Sequence, residues 1–206
     1  MDIKQDILIK SEALFMRYGI KSVTMDDISR DLGISKKTLY QYVDNKQDLI
    51  DQCFQRHIEE EMCIIGEIRE EGSDSIDEIL RIARYVIKSI RKVSPTVMYD
   101  LEKYYRKTYM KMKQLHNQHV YHFILENVVK GQKEGLYRAE IDASMITKIY
   151  IANTNPGTYL DLFPQDKYNL EPLVKEYTLY HLHGVVTPKG LELLEKYKKT
   201  SFDNID

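Results

Sequence analysis

The sequence predicts an all-α protein: a small three-helix headpiece carrying a helix-turn-helix, followed by a larger helical domain. Three observations carry that prediction. The 206 residues hold only 9 Gly and 5 Pro, few breaks for a chain of this length. Apolar residues recur at spacings of three and four, and no stretch alternates with period two. Capping residues stand where the periodic runs begin and end.

Taken in order, Ile3, Ile7, Leu14, Phe15 and Tyr18 share one face of a first helix, which Gly19 ends. Thr24, with Asp27 three residues on, forms a capping-box pattern and opens a second helix bearing Met25, Ile28 and Leu32. Gly33 stops it. Ser35 caps a third helix in which Leu39 and Val43 face inward. Asn45 and Asp48 open a long fourth helix running to about Glu70, closed by Gly72. Ser75 with Glu78 restarts a helix that reaches about Val93. Ser94-Pro95 begins the next, with a break expected near Thr108 and a continuation to Glu134 before Gly135. Asp142 starts a helix that ends before Asn155-Pro156-Gly157. The last helices cover about Tyr168 to His183 and Lys189 to Lys198. Short helices give way to long ones near residue 50, so the expected domains are 1–48 and 49–206.

Composition narrows the function. Hydrophobic residues at 43% supply a core, and charged residues at 30% a solvated surface. A formal charge of -2 neither favours nor excludes nucleic acid, because the distribution of charge matters more than its sum. Cys53 and Cys63 lack metal-motif spacing and read as reduced structural thiols, which points to a cytoplasmic protein. The N-terminal MDIKQDILIKSE has no apolar leader core, and no run approaches the roughly 18 apolar residues of a membrane span, so no membrane partner is expected. A phosphate loop, a nucleophile elbow and an HExxH pair are all missing from the sequence; no enzyme and no cofactor are expected.

The most informative stretch is GISKKTLYQYVDNK, Gly33 to Lys46. A short helix, a turn containing Gly and another short helix make a helix-turn-helix. With Leu39 and Val43 inside, Lys36, Lys37, Tyr40 and Gln41 remain outside. Lysines at a helix N-terminus run against the helix dipole, a mild cost that a polyanion removes. The third helix would enter a major groove by its N-terminal end, placing Lys36, Lys37 and Thr38 at base edges and phosphates. Tyr40, Tyr42 and Lys46 would reach phosphates from the sides. Residues 1–50 hold eight basic and eight acidic side chains, so affinity must come from focused contacts.

VTMDDISRDLGISKKTLYQYVDNKQDLI resembles the DNA-binding signature of TetR-type transcriptional regulators. The matching elements are Thr24, Ile28, Leu32, Gly33, Ile34, Ser35, Thr38, Leu39, Tyr40, Tyr42, Val43, Asn45, Lys46 and Leu49, with Ala13, Leu14, Phe15 and Gly19 before them. GLYRAEID (Gly135 to Asp142) and HGVVTPKG (His183 to Gly190) are similar to recurring features of that family's C-terminal domain. Lys37 stands where many members have glycine, Asp26 where some carry a base-contacting cation, and Gln41 where histidine or an aromatic is commoner. The resemblance implies a ligand-responsive regulator, in the repressor mode, that binds double-stranded operator DNA as a homodimer. It implies DNA contacts at Thr24, Lys36, Lys37, Thr38, Tyr40, Gln41, Tyr42 and Lys46. It also implies dimerisation through the late helices, where Ile146, Ile149, Tyr150, Leu173, Tyr177, Tyr180 and Gly184 supply apolar or small surface.

The resemblance places an effector pocket between the fourth helix and residues 76–130. Tyr99, Tyr105, Tyr109, Met112 and Phe123 are expected to line part of it. Tyrosine and methionine suit a small, largely apolar effector oriented by a few hydroxyls. Two alternatives stay open. One is a helical metal or redox sensor using His116 and His119, or Cys53 and Cys63. The other is a small helical enzyme. His122 diverges widely from His116 on a helix, so a metal would need a ligand from elsewhere.

Overall fold

The structure is a computed structural model and describes residues 2–90, 94–154, 163 and 167–199. These residues form ten helices: α1 (Ile3–Tyr18), α2 (Met25–Leu32), α3 (Lys36–Leu39), α4 (Lys46–Glu71), α5 (Ser75–Ile90), α6 (Pro95–Tyr104), α7 (Arg106–Lys133), α8 (Ala143–Asn153), α9 (Leu170–Val185) and α10 (Pro188–Tyr197). The all-α expectation holds. The expected helix end near Val93 and the Asn155-Pro156-Gly157 stop lie outside the described residues.

The caps explain the short elements. Thr24 and Asp27 close a reciprocal capping box: the Asp27 amide donates to Thr24 Oγ1 at 3.2 Å, and the Thr24 amide to Asp27 Oδ2 at 2.9 Å. Gly33 ends α2 at φ +66, a left-handed conformation that costs glycine little. Ser35 accepts the Thr38 amide at 3.0 Å and opens α3. The third helix is shorter than expected: after Leu39 the chain continues as a turn closed by the Gln41 and Tyr42 amides. Leu39 and Val43 are still buried. The break expected near Thr108 falls at Tyr105, whose backbone leaves the helical range at φ -127, ψ 42.

The chain forms two compact units, residues 1–63 with 92–116 and residues 64–91 with 117–206. The first is built around Ile7, Phe15, Ile20, Ile28, Leu39, Leu49 and Ile50, joined by Val97 and Leu101 of α6. Within it α1 packs on α2 and α2 on α3. The α1–α2 turn is tied down from two sides. Buried Asp100 accepts the Lys21 amide at 2.8 Å, and Lys46 donates to the Ile20 carbonyl at 2.6 Å.

In the second unit α9 and α10 pack on α5 around Ile76, Leu80, Val128, Tyr137, Leu182 and Leu194. The two C-terminal motifs of the sequence meet here. The Arg138 amide donates to Val185 O at 2.9 Å and the Thr187 amide to Leu136 O at 2.8 Å, an isolated antiparallel bridge. Neither motif forms a strand alone; each supplies backbone groups that the other satisfies.

Candidate nucleic-acid interface and sensor region

The headpiece separates its inner from its outer residues cleanly. Met25, Ile28, Leu39 and Val43 are buried, whereas Thr24, Lys36, Lys37, Tyr40 and Gln41 are exposed. Thr38 is half-buried, its hydroxyl 2.8 Å from that of Ser35. Tyr42 is half-buried and packs on the first core, so only part of its ring faces solvent. Lys36 Nζ lies 2.5 Å from Asp26 Oδ1, an ion pair that crosses from α3 to α2. That carboxylate offsets the unfavourable dipole at the start of α3.

Lys46 is less free than its neighbours. Burial holds its ammonium below the usual lysine range, against the pull of Asp100 and Asp27. Its bond to the Ile20 carbonyl fixes the α1–α2 turn, so it has a structural task beside any contact with phosphate.

The five expected pocket residues are distributed over both units. Tyr99 is exposed on α6, and its hydroxyl takes a hydrogen bond from Lys103. Tyr105, Tyr109 and Met112 are half-buried against the first core. Phe123 belongs to the second unit, where it packs on that core with the Arg69 guanidinium 5.4 Å from its ring centre. Met112 lines a recess between α4 and α7 together with Phe54, Ile58, Leu115, Asp51, Gln55, Thr108 and Lys111. Its volume of about 10 Å³ is roughly enough for one water. At its rim Gln47 donates to Thr108 Oγ1 at 2.5 Å, and Thr108 to Asp51. Nothing in the sequence announces this polar cluster: Gln47 and Asp51 lie 61 and 57 residues from Thr108 and carry no motif.

His116 Nδ1 is 4.0 Å from Glu61 Oε2, while His119 and His122 are exposed. Among the described residues no three His, Cys, Asp or Glu side chains gather as metal ligands would. Cys53 is buried and burial pushes its thiol up to about 12; Cys63 is exposed.

The late helices present large apolar side chains outward. Tyr180 is 76% exposed, Met145 65% and Ile149 55%. His181 is buried with its ring centre 4.8 Å from that of Tyr150, and among the described residues its Nε2 has no hydrogen-bond partner. Burial pushes this imidazole down from 6.5 to about 4. The sign follows: the neutral ring is the folded form, so the stability it contributes is present above pH 6.5 and is lost as pH falls through about 4. The melting temperature is expected to drop between pH 7 and pH 4.5, and His181→Leu to drop less over that interval. Equal drops would show that His181 is not the group being charged.

Residues 7–53 match the family model described as bacterial regulatory proteins, tetR family. The chain is 21% identical over 194 residues to the HTH-type transcriptional repressor KstR2 of Rhodococcus jostii, covering 90% of this chain and 92% of that protein. Its fold is similar to that of the fatty acid degradation regulator FadR from Bacillus halodurans, with a TM-score of 0.69 at 17% identity over 89% of this chain and 96% of that one. It is also similar to the ketosteroid transcriptional regulator KstR2 of Mycobacterium tuberculosis, with a TM-score of 0.55 at 15% identity over 89% and 95%. With a capped helix-turn-helix inside the matched segment, residues 7–53 carry the DNA-binding region of the tetR family of bacterial regulatory proteins.

Proposed function

We propose that the chain is a repressor that occupies duplex operator DNA as a homodimer and leaves it when a small, largely apolar effector binds. The observation that carries this reading is the headpiece surface. Leu39 and Val43 are buried under the turn, while Lys36, Lys37, Tyr40 and Gln41 stand in solvent. In this reading residues 1–48 are the DNA-binding domain and 49–206 bind effector and form the dimer. The protein works in the cytoplasm, where its DNA is. Thr24, Thr38 and Tyr42 flank the lysines, and Lys46 adds a phosphate contact. Lys46→Ala is expected to weaken all sequences alike and lower the salt slope by about one.

Three features support the effector. The recess beside Met112 has apolar walls and a hydroxyl–carboxylate rim at Thr108 and Asp51. It is too small for an effector as it stands, so binding must part α4 from α7. Because α4 is one unbroken helix of 26 residues, a displacement at one end is carried along it. Tyr99, Tyr105, Tyr109 and Phe123 complete the proposed sensor. Two similar folds bear names from ketosteroid regulation and fatty acid degradation, which favours apolar compounds as probes.

Selection of bound duplexes from a random pool tests the DNA reading, and a thermal-shift screen of sterol-like and fatty acyl compounds tests the sensor. A ligand at 100 times its Kd is expected to add about 2.7 kcal/mol. For the dimer, Tyr180 and Ile149 are the surfaces to spoil. The full chain is expected to run as a dimer in light scattering at micromolar concentration, and Ile149→Asp with Tyr180→Asp as a monomer. A wild-type monomer at that concentration would sink the dimer reading.

A further inference from the structure

The Asp26–Lys36 pair has no evident work in holding the fold. Both side chains are about half exposed, 57% and 49%, and exposed pairs contribute little to stability. The turn they span is already fixed by the Thr24–Asp27 box, by Gly33 and by Ser35. An acid on a surface that must meet phosphates is moreover a repulsive element unless its charge is taken up. The pair therefore invites a reading in terms of DNA.

The major-groove edge of a G·C pair is a row of two acceptors, G N7 and O6, followed by one donor, the C N4 amino group. An ammonium held 2.5 Å from a carboxylate is the complement of that row, a donor beside an acceptor. Asp26 stands in the first turn of α2 and Lys36 is the first residue of α3. Met25, Ile28 and Leu39 occupy the inner side of the same two helices, which leaves the pair on the outer side. We propose that Asp26 and Lys36 read one G·C pair in each half-site as a unit, Lys36 donating to G O6 and N7 and Asp26 accepting from C N4. Pairing serves both partners. It neutralises Asp26 toward the phosphates, and it holds Lys36 at a base edge where a lone lysine would settle on any phosphate. This inference rests on the operator reading above and adds a specificity-determining residue, Asp26, to it.

The test uses the full chain and duplexes selected from a random pool by the wild type, Asp26→Ala and Lys36→Met. Both side chains are exposed, and an unchanged far-UV spectrum and melting temperature verify folding. Wild-type sites are expected to hold a fixed G·C pair in each half-site, and exchange for A·T at that position to lower affinity about 5- to 150-fold. Each variant is expected to lose the discrimination at that one position, and the double variant to lose no more than the worse single. The proposal is overturned if Asp26→Ala shifts affinity uniformly and leaves every base preference intact. It is also overturned if Lys36→Met alone relaxes the position. If the wild type enriches no sequence at all, the operator reading falls, and this proposal with it.

Discussion

Gly131→Ala is expected to destabilise the protein by about 3 kcal/mol, the upper range for forcing a methyl group into a filled core. A Cβ at this buried position of α7 would stand 2.2 Å from Cδ2 and 2.5 Å from Cγ of Tyr137. That ring has nowhere to go. It is fully buried, and its hydroxyl lies 3.0 Å from the Ser75 carbonyl and 3.1 Å from Asn127 Oδ1. Asn127 in turn donates to the Ser75 carbonyl at 2.9 Å. Moving the ring would break a network that fastens the start of α5. For a chain of this size the loss should lower Tm by about 6–12 °C. A thermal melt of the variant checks it, and an unchanged Tm would mean that the α7–Tyr137 contact is looser than described. Tyr137→Ala removes the same ring and network, so adding Gly131→Ala to it should cost far less than Gly131→Ala costs the wild type.

Asp100→Ala is expected to cost about 2–3 kcal/mol and to weaken DNA binding as well. Asp100 is buried on α6 and accepts the Lys21 amide at 2.8 Å. Its removal leaves that amide without its side-chain acceptor. It also deletes a negative charge that supports the Lys46 ammonium, which grips the neighbouring Ile20 carbonyl. The α1–α2 turn would lose one tether outright and have the other weakened. Asp100→Asn keeps an acceptor and should cost less. Urea denaturation of the two variants separates the cases: equal midpoints for Ala, Asn and wild type would remove the tether from the account.

The headpiece was legible in the sequence because its boundaries are set locally. Thr24, Gly33 and Ser35 each act on backbone groups within three or four residues, and the structure uses all three as their chemistry dictates. The sequence puts the α6–α7 break three residues late because no glycine or proline marks it. Tyr105 leaves the helix in a context set by the first core, against which its side chain packs. The sensor residues were harder for the same reason. Tyrosines at 99, 105 and 109 announce apolar area but not the face on which it lies, and Tyr99 turns to solvent and to Lys103. The Asp26–Lys36 pair depends on the crossing of α2 and α3, which no spacing rule encodes. The meeting of Leu136 with Thr187 depends on a contact 51 residues apart in the chain.

The central claim is that the surface bearing Lys36, Lys37, Tyr40 and Gln41 lies in the major groove of duplex DNA. Hydroxyl-radical footprinting of the full chain on a duplex enriched from the random pool tests it most directly. The account predicts two protected patches on one face of the duplex, centred about 34–36 Å apart or a small multiple of that, one for each headpiece. Protection should vanish for the Lys36→Met, Lys37→Met, Tyr40→Ala triple variant while its melting temperature holds. Protection that persists in that variant, or that covers the duplex evenly, would contradict the assignment.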